Sequence, residues 1–399
     1  MNTSIIRQLN VSRVFHAVRE HPGSSQREVV QRTGLDQATV SAVVAQLERE
    51  ALLDRAPKPR RGRAGRPEEA LSIAPAAGLF VGVRLEPREL SVVATTLDAR
   101  PVAARRLSGS SDVAVAVRRV GSVVREIACQ EGVPLEAIRG VGVGVPALMN
   151  EEGHLELGPN LGWHDVPILA LLRAELPVPV YVDNDTKAAA RAETLFGACR
   201  DVMDFVLVVA HSGIGSALYQ AGMLLRGRSG YAGELGHVKV VPGGRACGCG
   251  GKGCLEAYAS ERAIVARLAE RGRACVDLSE VARCAAQGDG EARAVLDDAA
   301  EKLGTVLATV VNLTNPDRIV IGGGLAHVAD TLIPIVRRVL ARDALPPSSN
   351  GIEVLVSELG DDAVAMGGVA LAMEGFLSLP TWLSAGQLHR RDGRPAGRP

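Results

Sequence analysis

Two distant stretches of this 399-residue sequence carry the same pattern. FVGVRLEPRELSVVATTLD, from Phe80, and FVLVVAHSGIGSALYQAGMLL, from Phe205, each predict a strand, a turn and a second strand. RGVGVGV, VPVYVDND and RIVIGGG predict further strands, and helical segments such as VAVAVRRVGSVVREIACQE lie between the strands. This alternation is typical of an α/β protein, and the duplication predicts two similar lobes that face a cleft.

Composition excludes several classes of protein. Hydrophobic residues make up 47% and charged residues 23%, as in an ordinary soluble globular protein. No apolar run reaches the roughly 18 residues of a membrane helix, and MNTSIIRQLN lacks the features of a signal peptide. Cys129, Cys199, Cys275 and Cys284 are scattered, which argues against a disulfide framework. We therefore expect a reduced, cytoplasmic protein with no membrane partner.

The first fifty residues predict three helices. The first ends before His21-Pro22-Gly23-Ser24, and Ser25 can cap a second, SQREVVQRT, that ends at Gly34. Asp36 is the expected N-cap of the third, QATVSAVVAQLEREALL, which runs to Leu53. The third helix should bury Val40, Val43, Val44 and Leu47 and display Gln37, Thr39, Ser41, Ala42 and Gln46.

Two helices joined by a tight glycine turn, with small polar residues early in the second, are typical of a helix-turn-helix. Gln37, Thr39 and Ser41 are the candidates for contacts with bases in the major groove. Residues 1–67 carry 12 Lys and Arg against 6 Asp and Glu, a balance that suits contacts with phosphates. A three-helix bundle that binds a protein is the alternative.

A basic segment, PKPRRGRAGRPEEALSI, follows these helices and returns to an apolar strand at residues 70–73. It predicts a wing hairpin whose tip follows the DNA backbone or enters a minor groove. The tip residues are Arg60, Arg61, Arg63 and Arg66. A solvated linker is the alternative, but the position after a helix-turn-helix favours a winged DNA-binding domain over residues 1–75.

The stretch HVKVVPGGRACGCGGKGCLE, residues 237–256, holds three of the seven cysteines. His237, Cys247, Cys249 and Cys254 form a His-x9-Cys-x-Cys-x4-Cys array. One imidazole and three thiolates complete a tetrahedral shell with no open position, as in structural zinc sites. The array predicts a structural Zn²⁺, and reduced cysteines without a metal are the alternative.

Polar residues elsewhere are candidates for a ligand site. Glu234 and Glu256 lie three and two residues from a predicted zinc ligand, and carboxylates fixed in this way accept strong hydrogen bonds from sugar hydroxyls. Two surface acids are the alternative. Asn160 lies in PNLGW, and Asn184 and Asp185 follow the predicted strand VPVYV, at the edge where α/β proteins place binding groups. Asp185 suits a general base toward a hydroxyl, or it caps the next helix.

Together these motifs resemble the ROK family (repressor, open reading frame, kinase), which contains sugar kinases and sugar-responsive repressors. The resemblance rests on PNLGW, DND before an alanine-rich helix, GELGH and the Cys-x-Cys-x4-Cys-Leu-Glu run, and it covers about Gly78 to Phe376. It implies an actin/hexokinase-like fold with two lobes over residues 76–378. The winged helix-turn-helix is similar to the repressor branch, as in the xylose and N-acetylglucosamine repressors. The resemblance implies sugar contacts at Asn160, Asn184, Asp185, Glu234, His237 and Glu256, and zinc ligands at His237, Cys247, Cys249 and Cys254.

The sequence departs from the kinase pattern where phosphates approach. Kinases of the family open with Asp-x-Gly-Gly-Thr, and the matching residues here are Arg84-Leu85-Glu86-Pro87-Arg88. Glu86 repels phosphate and Pro87 has no N–H, so we expect no catalytic residue and regard Asp185 as a vestigial general base.

The remaining family motifs differ in how well they are kept. In the second phosphate loop, His211, Ser212 and Ala217 replace a glycine, a threonine and a glycine. The adenosine-side glycines of residues 321–324 are intact, and we interpret them as strand-end packing. Lys187 replaces an asparagine common in the family.

These patterns predict a sugar-responsive transcriptional regulator, most simply a repressor. It would bind operator DNA as a homodimer or dimer of dimers and take a monosaccharide or sugar derivative between its lobes. The main alternative is an ATP-dependent sugar kinase, alone or in a bifunctional protein. A third is a DNA-binding protein whose sugar domain responds to a protein partner. Residues 379–399 predict a disordered tail.

Overall fold

The computed structural model describes residues 3–57 and 69–377. Its N-terminal part is the predicted winged helix-turn-helix. It contains α1 (Thr3–Glu20), α2 (Gln26–Thr33) and α3 (Gln37–Arg49), followed by an antiparallel hairpin of β1 (Leu53–Pro57) and β2 (Glu69–Ile73).

The helix caps in this part agree with the sequence prediction. The Glu28 carboxylate accepts a 2.6 Å hydrogen bond from the Ser25 backbone N–H, which completes a capping box at the start of α2. Gly34 ends α2 at a φ of +64°, in the left-handed region that favours glycine. The Asp36 carboxylate caps α3 and accepts from the Thr39 N–H at 2.8 Å. These caps fix where the two helices of the motif begin and end.

The predicted end of the third helix is wrong. The sequence analysis extended it to Leu53, but α3 ends at Arg49 and Leu53 is the first residue of β1. The chain reverses at Ala51, whose φ is +54°, and the Leu52 N–H donates to the Leu47 carbonyl. Leu52 and Leu53 are buried in the core of this domain, and their burial offsets the strain of a left-handed alanine.

The hairpin forms the base of the predicted wing. Leu53 lies opposite Ile73 and Pro57 opposite Glu69, so the strand predicted over residues 70–73 is confirmed. The wing tip and the tail, residues 379–399, lie outside the described residues and stay predictions. The tip carries the proposed DNA contacts Arg60, Arg61, Arg63 and Arg66.

The first lobe is built on a five-stranded sheet. Its elements are β3 (Leu79–Leu85), β4 (Glu89–Thr96), β5 (Pro101–Ser108), α4 (Val113–Gln130), β6 (Ile138–Val145), β7 (Leu148–Met149), β8 (Leu155–Gly158), β9 (Trp163–Val166), α5 (Ile168–Glu175), β10 (Val180–Asn184) and α6 (Asp185–Leu195). The strand order is β10-β6-β3-β4-β5, and β7, β8 and β9 form a small separate sheet.

The second lobe follows in sequence and contains more helices than the first. Its elements are β11 (Phe205–Ala210), β12 (Ile214–Gln220), β13 (Met223–Leu224), α7 (Glu256–Ala259), α8 (Glu261–Ala269), α9 (Leu278–Ala286), α10 (Gly290–Thr314), β14 (Arg318–Gly323), α11 (Ala329–Asp343), α12 (Pro346–Ser349) and β15 (Glu353–Val356). The last helix, α13 (Ala363–Phe376), returns to the first lobe. No helix within the described ranges has the length and apolar character that crossing a bilayer requires.

The two sheets repeat one topology, as the duplicated sequence pattern predicts. In each, three antiparallel strands, β5-β4-β3 or β13-β12-β11, are followed by two strands parallel to the third, β6-β10 or β14-β15. The turn between β3 and β4 and the turn between β11 and β12 therefore occupy equivalent positions in the two lobes.

α13 packs directly on the first sheet because glycines lie where the helix crosses the strands. A Cβ at Gly82 would collide with the Ala365 carbonyl oxygen, and one at Gly142 with that of Gly368. The glycine–valine alternation of β3 and β6 thus allows close helix packing on one face and valine burial on the other.

The DNA-binding domain and the first lobe share a buried cluster, although the predicted boundary at residues 75–76 separates them in sequence. Its members from α1, β3, α6 and α13 include Phe15, Val18, Phe80, Leu195 and Met373. The buried Arg19 guanidinium of α1 lies 5.3 Å from the ring centroid of Phe196, the residue that follows α6. The end of α6 therefore contacts the DNA-binding domain.

Candidate functional site

A cavity of about 150 Å³ lies between the two lobes, where the carboxyl ends of β6 and β10 face the β11-β12 turn. The residues predicted to contact sugar all line it: Asn160, Asn184, Asp185, Glu234, His237 and Glu256. They come from separate segments of the chain, and the fold brings them together around one cavity.

Asn184 is the last residue of β10 and the N-cap of α6. Its Oδ1 accepts from the backbone N–H groups of Thr186 and Lys187, both at 3.1 Å. Its Nδ2 donates to the Ala147 carbonyl at 3.2 Å. The helix cap is therefore Asn184 and not Asp185, which leaves the Asp185 carboxyl in the first turn, facing the cavity.

Asp185 is buried at the start of α6. Its Oδ1 accepts from the Thr186 N–H at 2.7 Å. Burial, together with repulsion from the Glu86 carboxylate, raises the pKa of Asp185 to about 6. A carboxyl with this pKa is mostly ionised at neutral pH and accepts hydrogen bonds from hydroxyl groups.

Glu256 is buried at the start of α7 and is held from two sides. Its Oε2 accepts from the Ile214 N–H at 3.1 Å, and its Oε1 lies 3.4 Å from the Cys247 sulfur. A Cβ at Gly213 would collide with this carboxylate and lie 2.9 Å from Nδ2 of Asn160. Gly213, which the sequence analysis did not assign to the sugar site, therefore makes room for Glu256 and Asn160 at the wall.

The four predicted metal ligands also come together. One donor atom from each of His237, Cys247, Cys249 and Cys254 lies within 4.8 Å of the others. The sulfurs of Cys249 and Cys254 are 3.7 Å apart, and the Cys247 sulfur is 3.7 Å from Nδ1 of His237. Zinc–sulfur bonds of about 2.3 Å give a tetrahedron with edges of about 3.8 Å. The donor set and its spacing therefore fit a metal ion such as Zn²⁺.

His237 connects this cluster to the cavity. Its Nδ1 faces Cys247, and its Nε2 lies 3.9 Å from the Glu234 carboxylate. Burial raises the pKa of Glu234. Nζ of Lys239 donates to the Cys254 sulfur at 2.8 Å. The cysteine loop thus fixes the imidazole beside which Glu234 lies.

Glu86 and His211, which depart from the kinase pattern, form another part of the cavity wall. Arg84 is buried and donates from Nε and Nη2 to one Glu86 oxygen, at 3.1 and 2.7 Å. Glu86 lines the cavity near Asp185. His211 lines it too, and burial, with repulsion from Arg84 and His327, lowers the pKa of His211 to about 3. This part of the wall presents a carboxylate and a neutral imidazole.

The adenosine-side glycines shape the end of β14. Gly323 has a φ of +63°, and a Cβ there would collide with the Ala210 carbonyl oxygen. A Cβ at Gly324 would collide with the Glu261 carboxylate. The positive φ and the nearby backbone carbonyl therefore account for Gly323, in line with its interpretation from sequence.

A buried polar network, which the sequence analysis missed, ties the first lobe to the segment that carries Glu234. Lys187 of α6 donates to the Gly230 carbonyl, and Asp183 of β10 pairs with Arg226. Burial lowers the pKa of Lys187. The charged residues of VDNDTK before an alanine-rich helix are the available sequence signal, but their partners lie about forty residues later.

The candidate DNA-contacting residues lie at the start of α3. Gln37 and Ser41 are exposed, whereas Thr39 is half-buried and its hydroxyl donates to the Asp36 carboxylate at 2.6 Å. The opposite face is buried as predicted, through Val40, Val43, Val44 and Leu47. Contact of the exposed face with DNA stays a prediction.

Known proteins resemble both parts of the chain. Residues 111–374 match the ROK family model, and residues 8–64 match a MarR family model. The chain is 25% identical to the xylose repressor of Caldicellulosiruptor bescii over 96% of this chain and 99% of that protein. It is 35% identical to a glucokinase of Halalkalibacterium halodurans over 57% of this chain and 74% of that protein.

Among solved structures, one described as a ROK family transcriptional regulator, a homolog of the E. coli MLC protein, matches with a TM-score of 0.80. The two chains are 26% identical, and the match covers 96% of this chain and 98% of the other. The ROK model alone spans more than half of the sequence. This chain belongs to the ROK family, with a MarR-type winged helix-turn-helix ahead of its actin/hexokinase-like domain.

Proposed function

We propose that this protein is a sugar-responsive transcriptional repressor that lacks kinase activity. The observation that carries the proposal is that one chain joins a winged helix-turn-helix to an interlobe cavity with carboxylates and amides on its wall. Such groups pair with sugar hydroxyls, and a sugar between two lobes can bias their relative arrangement. The similarity to a xylose repressor over nearly the whole chain supports the same conclusion.

The sugar would contact the six cavity residues named above. Asn184, Asp185 and Asn160 would bind from the first lobe, and Glu234, His237 and Glu256 from the second. A ligand that bridges the lobes in this way stabilises the arrangement in which both sets reach it. It changes operator affinity only to the extent that it binds the two arrangements differently.

The Cys/His cluster would hold a structural Zn²⁺ through His237, Cys247, Cys249 and Cys254. Four protein ligands leave no position for a substrate, so the ion would supply rigidity and no reaction chemistry. His237 has one ring nitrogen toward the cluster and the other toward Glu234. The ion would therefore orient the part of the wall that reads the sugar.

Helix α6 offers a route from the sugar to the DNA-binding domain. It begins at Asp185 in the cavity wall and ends next to Phe196, against which Arg19 of α1 packs. All eleven residues of α6 are buried, so a displacement at its first turn is transmitted to its last. Movement of α1 would then change the position of α3.

On DNA, Gln37, Thr39 and Ser41 of α3 would face bases in the major groove. Arg60, Arg61, Arg63 and Arg66 would contact the backbone or the minor groove. A homodimer or dimer of dimers would place two recognition helices on the halves of a pseudo-palindromic operator. The protein would act in the cytoplasm, where a bacterial operator is accessible.

A sugar kinase is the second candidate function. The buried Asp185 with its raised pKa and the glucokinase relative favour it. Glu86 and His211 argue against it, because they present a carboxylate and an uncharged ring where phosphoryl transfer needs donors and a cation. A kinase would release ADP in the presence of sugar, and Asp185→Asn would abolish that release.

The proposal is tested by measuring operator binding and sugar binding on the same protein. A thermal-shift panel of monosaccharides identifies the ligand, and mobility-shift assays with upstream DNA then measure its effect. We expect at least one sugar to raise the melting temperature and to change operator affinity. Operator binding that responds to no sugar would favour a protein partner, and sugar-dependent turnover of ATP would favour the kinase.

A further inference from the structure

We propose that the effector is an uncharged sugar and that Glu86 excludes phosphorylated and acidic sugars from the cavity. This inference rests on the proposed sugar-responsive function and names the class of ligand. It follows from the distribution of charged groups on the cavity wall.

Four carboxyl groups line the cavity: Glu86, Asp185, Glu234 and Glu256. No lysine or arginine is among the residues that line it in the described part of the chain. A phosphate or carboxylate on a sugar needs a guanidinium, an ammonium or several free N–H donors. The wall offers mainly acceptors, which match the O–H donors of an uncharged sugar.

Three cationic side chains near the cavity donate their hydrogen bonds to groups of the protein itself. Arg84 gives Nε and Nη2 to Glu86. Lys187 donates to the Gly230 carbonyl, and Lys239 donates to the Cys254 sulfur. If any of them turned to an anionic ligand, a carboxylate, a backbone carbonyl or a cysteine sulfur would lose its donor.

Neither cavity imidazole replaces these cations. His211 is half-buried, and desolvation with repulsion from Arg84 and His327 lowers its pKa to about 3, so it is uncharged at neutral pH. His237 has Nδ1 toward the thiols and Nε2 toward the Glu234 carboxylate. The backbone N–H of Ile214, at the β11-β12 turn, already donates to Glu256.

Beside Asp185, the carboxylate of Glu86 is the group that excludes a negatively charged ligand. It lies on the turn where family kinases have a glycine, and its carboxylate faces the cavity with the Arg84 counter-ion behind it. A phosphate on the hydroxyl that contacts Asp185 would lie against both carboxylates, and like charges in such contact repel strongly. The same charge opposes the phosphates of a nucleotide.

The test compares matched pairs of sugars by isothermal titration calorimetry on the full chain. The pairs are glucose with glucose 6-phosphate, and N-acetylglucosamine with N-acetylglucosamine 6-phosphate; xylose and glucuronate extend the set. We expect binding only by uncharged members, with their charged counterparts weaker by about a hundredfold or more.

Two variants separate charge from shape. Glu86→Gln keeps the size of the side chain, removes its charge and frees Arg84. It should therefore reduce the ratio of the affinity for an uncharged sugar to the affinity for its charged counterpart by about tenfold or more. Glu89→Gln, on the neighbouring strand and not in the cavity wall, is the control and should leave the ratio unchanged.

A charged member that binds as tightly as its uncharged counterpart would overturn the inference while leaving sugar sensing intact. An unchanged ratio in Glu86→Gln would overturn the role of Glu86. If no sugar of the set binds while operator binding persists, the proposed sugar response fails, and this inference fails with it.

Discussion

The turn between β3 and β4 and the turn between β11 and β12 occupy equivalent places in two related sheets, but their side chains differ. The first holds Glu86, Pro87 and Arg88, and its carboxylate side chain is satisfied by Arg84. The second holds His211, Ser212 and Gly213, and the next N–H, that of Ile214, donates to Glu256.

This difference shows what duplication of a fold does and does not conserve. The backbone gives both turns access to the interlobe cavity, as Glu86 and Gly213 both line it. One turn presents the carboxylate of Glu86, the proposed charge barrier, and the other carries Gly213, which leaves room for the proposed sugar-binding residues Glu256 and Asn160. The start of α6 lies between the two turns. The charge of Glu86 helps to raise the pKa of Asp185, and Thr186 packs against Gly215.

The largest effect is expected from the cysteine loop that supports the second turn. Cys249→Ser should reduce bound zinc from about one ion per chain to near zero and destabilise the protein by about 4 kcal/mol or more. The measurements are metal content and melting temperature. Cys129→Ser, an exposed cysteine outside the cluster, is the control. Full metal content in Cys249→Ser would refute the ligand assignment.

The next effect tests the charge beside the first turn. The pKa of Asp185 rises from its usual 3.8 to about 6 on folding, so ionisation of this buried carboxyl lowers stability as the pH rises from about 4, and the loss is almost complete above about pH 6. The cost is roughly 3 kcal/mol at pH 7.5 and disappears as the pH falls below about 4.

Asp185→Asn should therefore be more stable than the parent protein at pH 7.5, by roughly 2–3 kcal/mol, and equal to it near pH 4. Urea denaturation at both pH values measures this, with the exposed Asp54→Asn as control. A variant that is no more stable at pH 7.5 would show that Glu86 and burial do not perturb Asp185.

A smaller effect tests the open character of the second turn. Gly213→Ala places a Cβ against the Glu256 carboxylate and 2.9 Å from Nδ2 of Asn160, so one of these groups must move. We expect a loss of about 1–3 kcal/mol in stability and at least about tenfold in sugar affinity. Gly290→Ala, where a Cβ meets nothing within 4 Å, is the control. Unchanged sugar affinity would remove Glu256 and Asn160 from the site.

The smallest effect tests whether α6 carries the signal from between the turns. Arg19→Ala removes the cation–π contact with Phe196 and should cost about 1 kcal/mol in stability. Sugar affinity should stay the same, while the effect of sugar on operator binding shrinks. Arg100→Ala, an exposed arginine of the first lobe, is the control. If sugar changes operator binding by Arg19→Ala as strongly as it changes binding by the parent protein, the Arg19–Phe196 contact does not carry the signal from the cavity to the DNA-binding domain.

Much of the architecture is predictable because its signals are local. Ser25 and Asp36 satisfy backbone groups within three residues of themselves, so the caps of α2 and α3 follow from spacing alone. The array from His237 to Cys254 closes within one loop. The end of α3 was mistaken because the burial of Leu52 and Leu53 against a distant strand outweighs their helical pattern.

By itself, the sequence determined the helix-turn-helix, the duplicated sheets and the cysteine array, and its resemblance to a family predicted six of the residues that line one cavity. Only the tertiary structure decided that Glu86 faces that cavity with Arg84 behind it, that burial raises the pKa of Asp185, and that α6 ends against Arg19. The reason is physical: caps and ligand spacing depend on neighbours in sequence. The charge around the cavity, the desolvation of Asp185 and the contact between α6 and Arg19 depend on groups that only folding brings together.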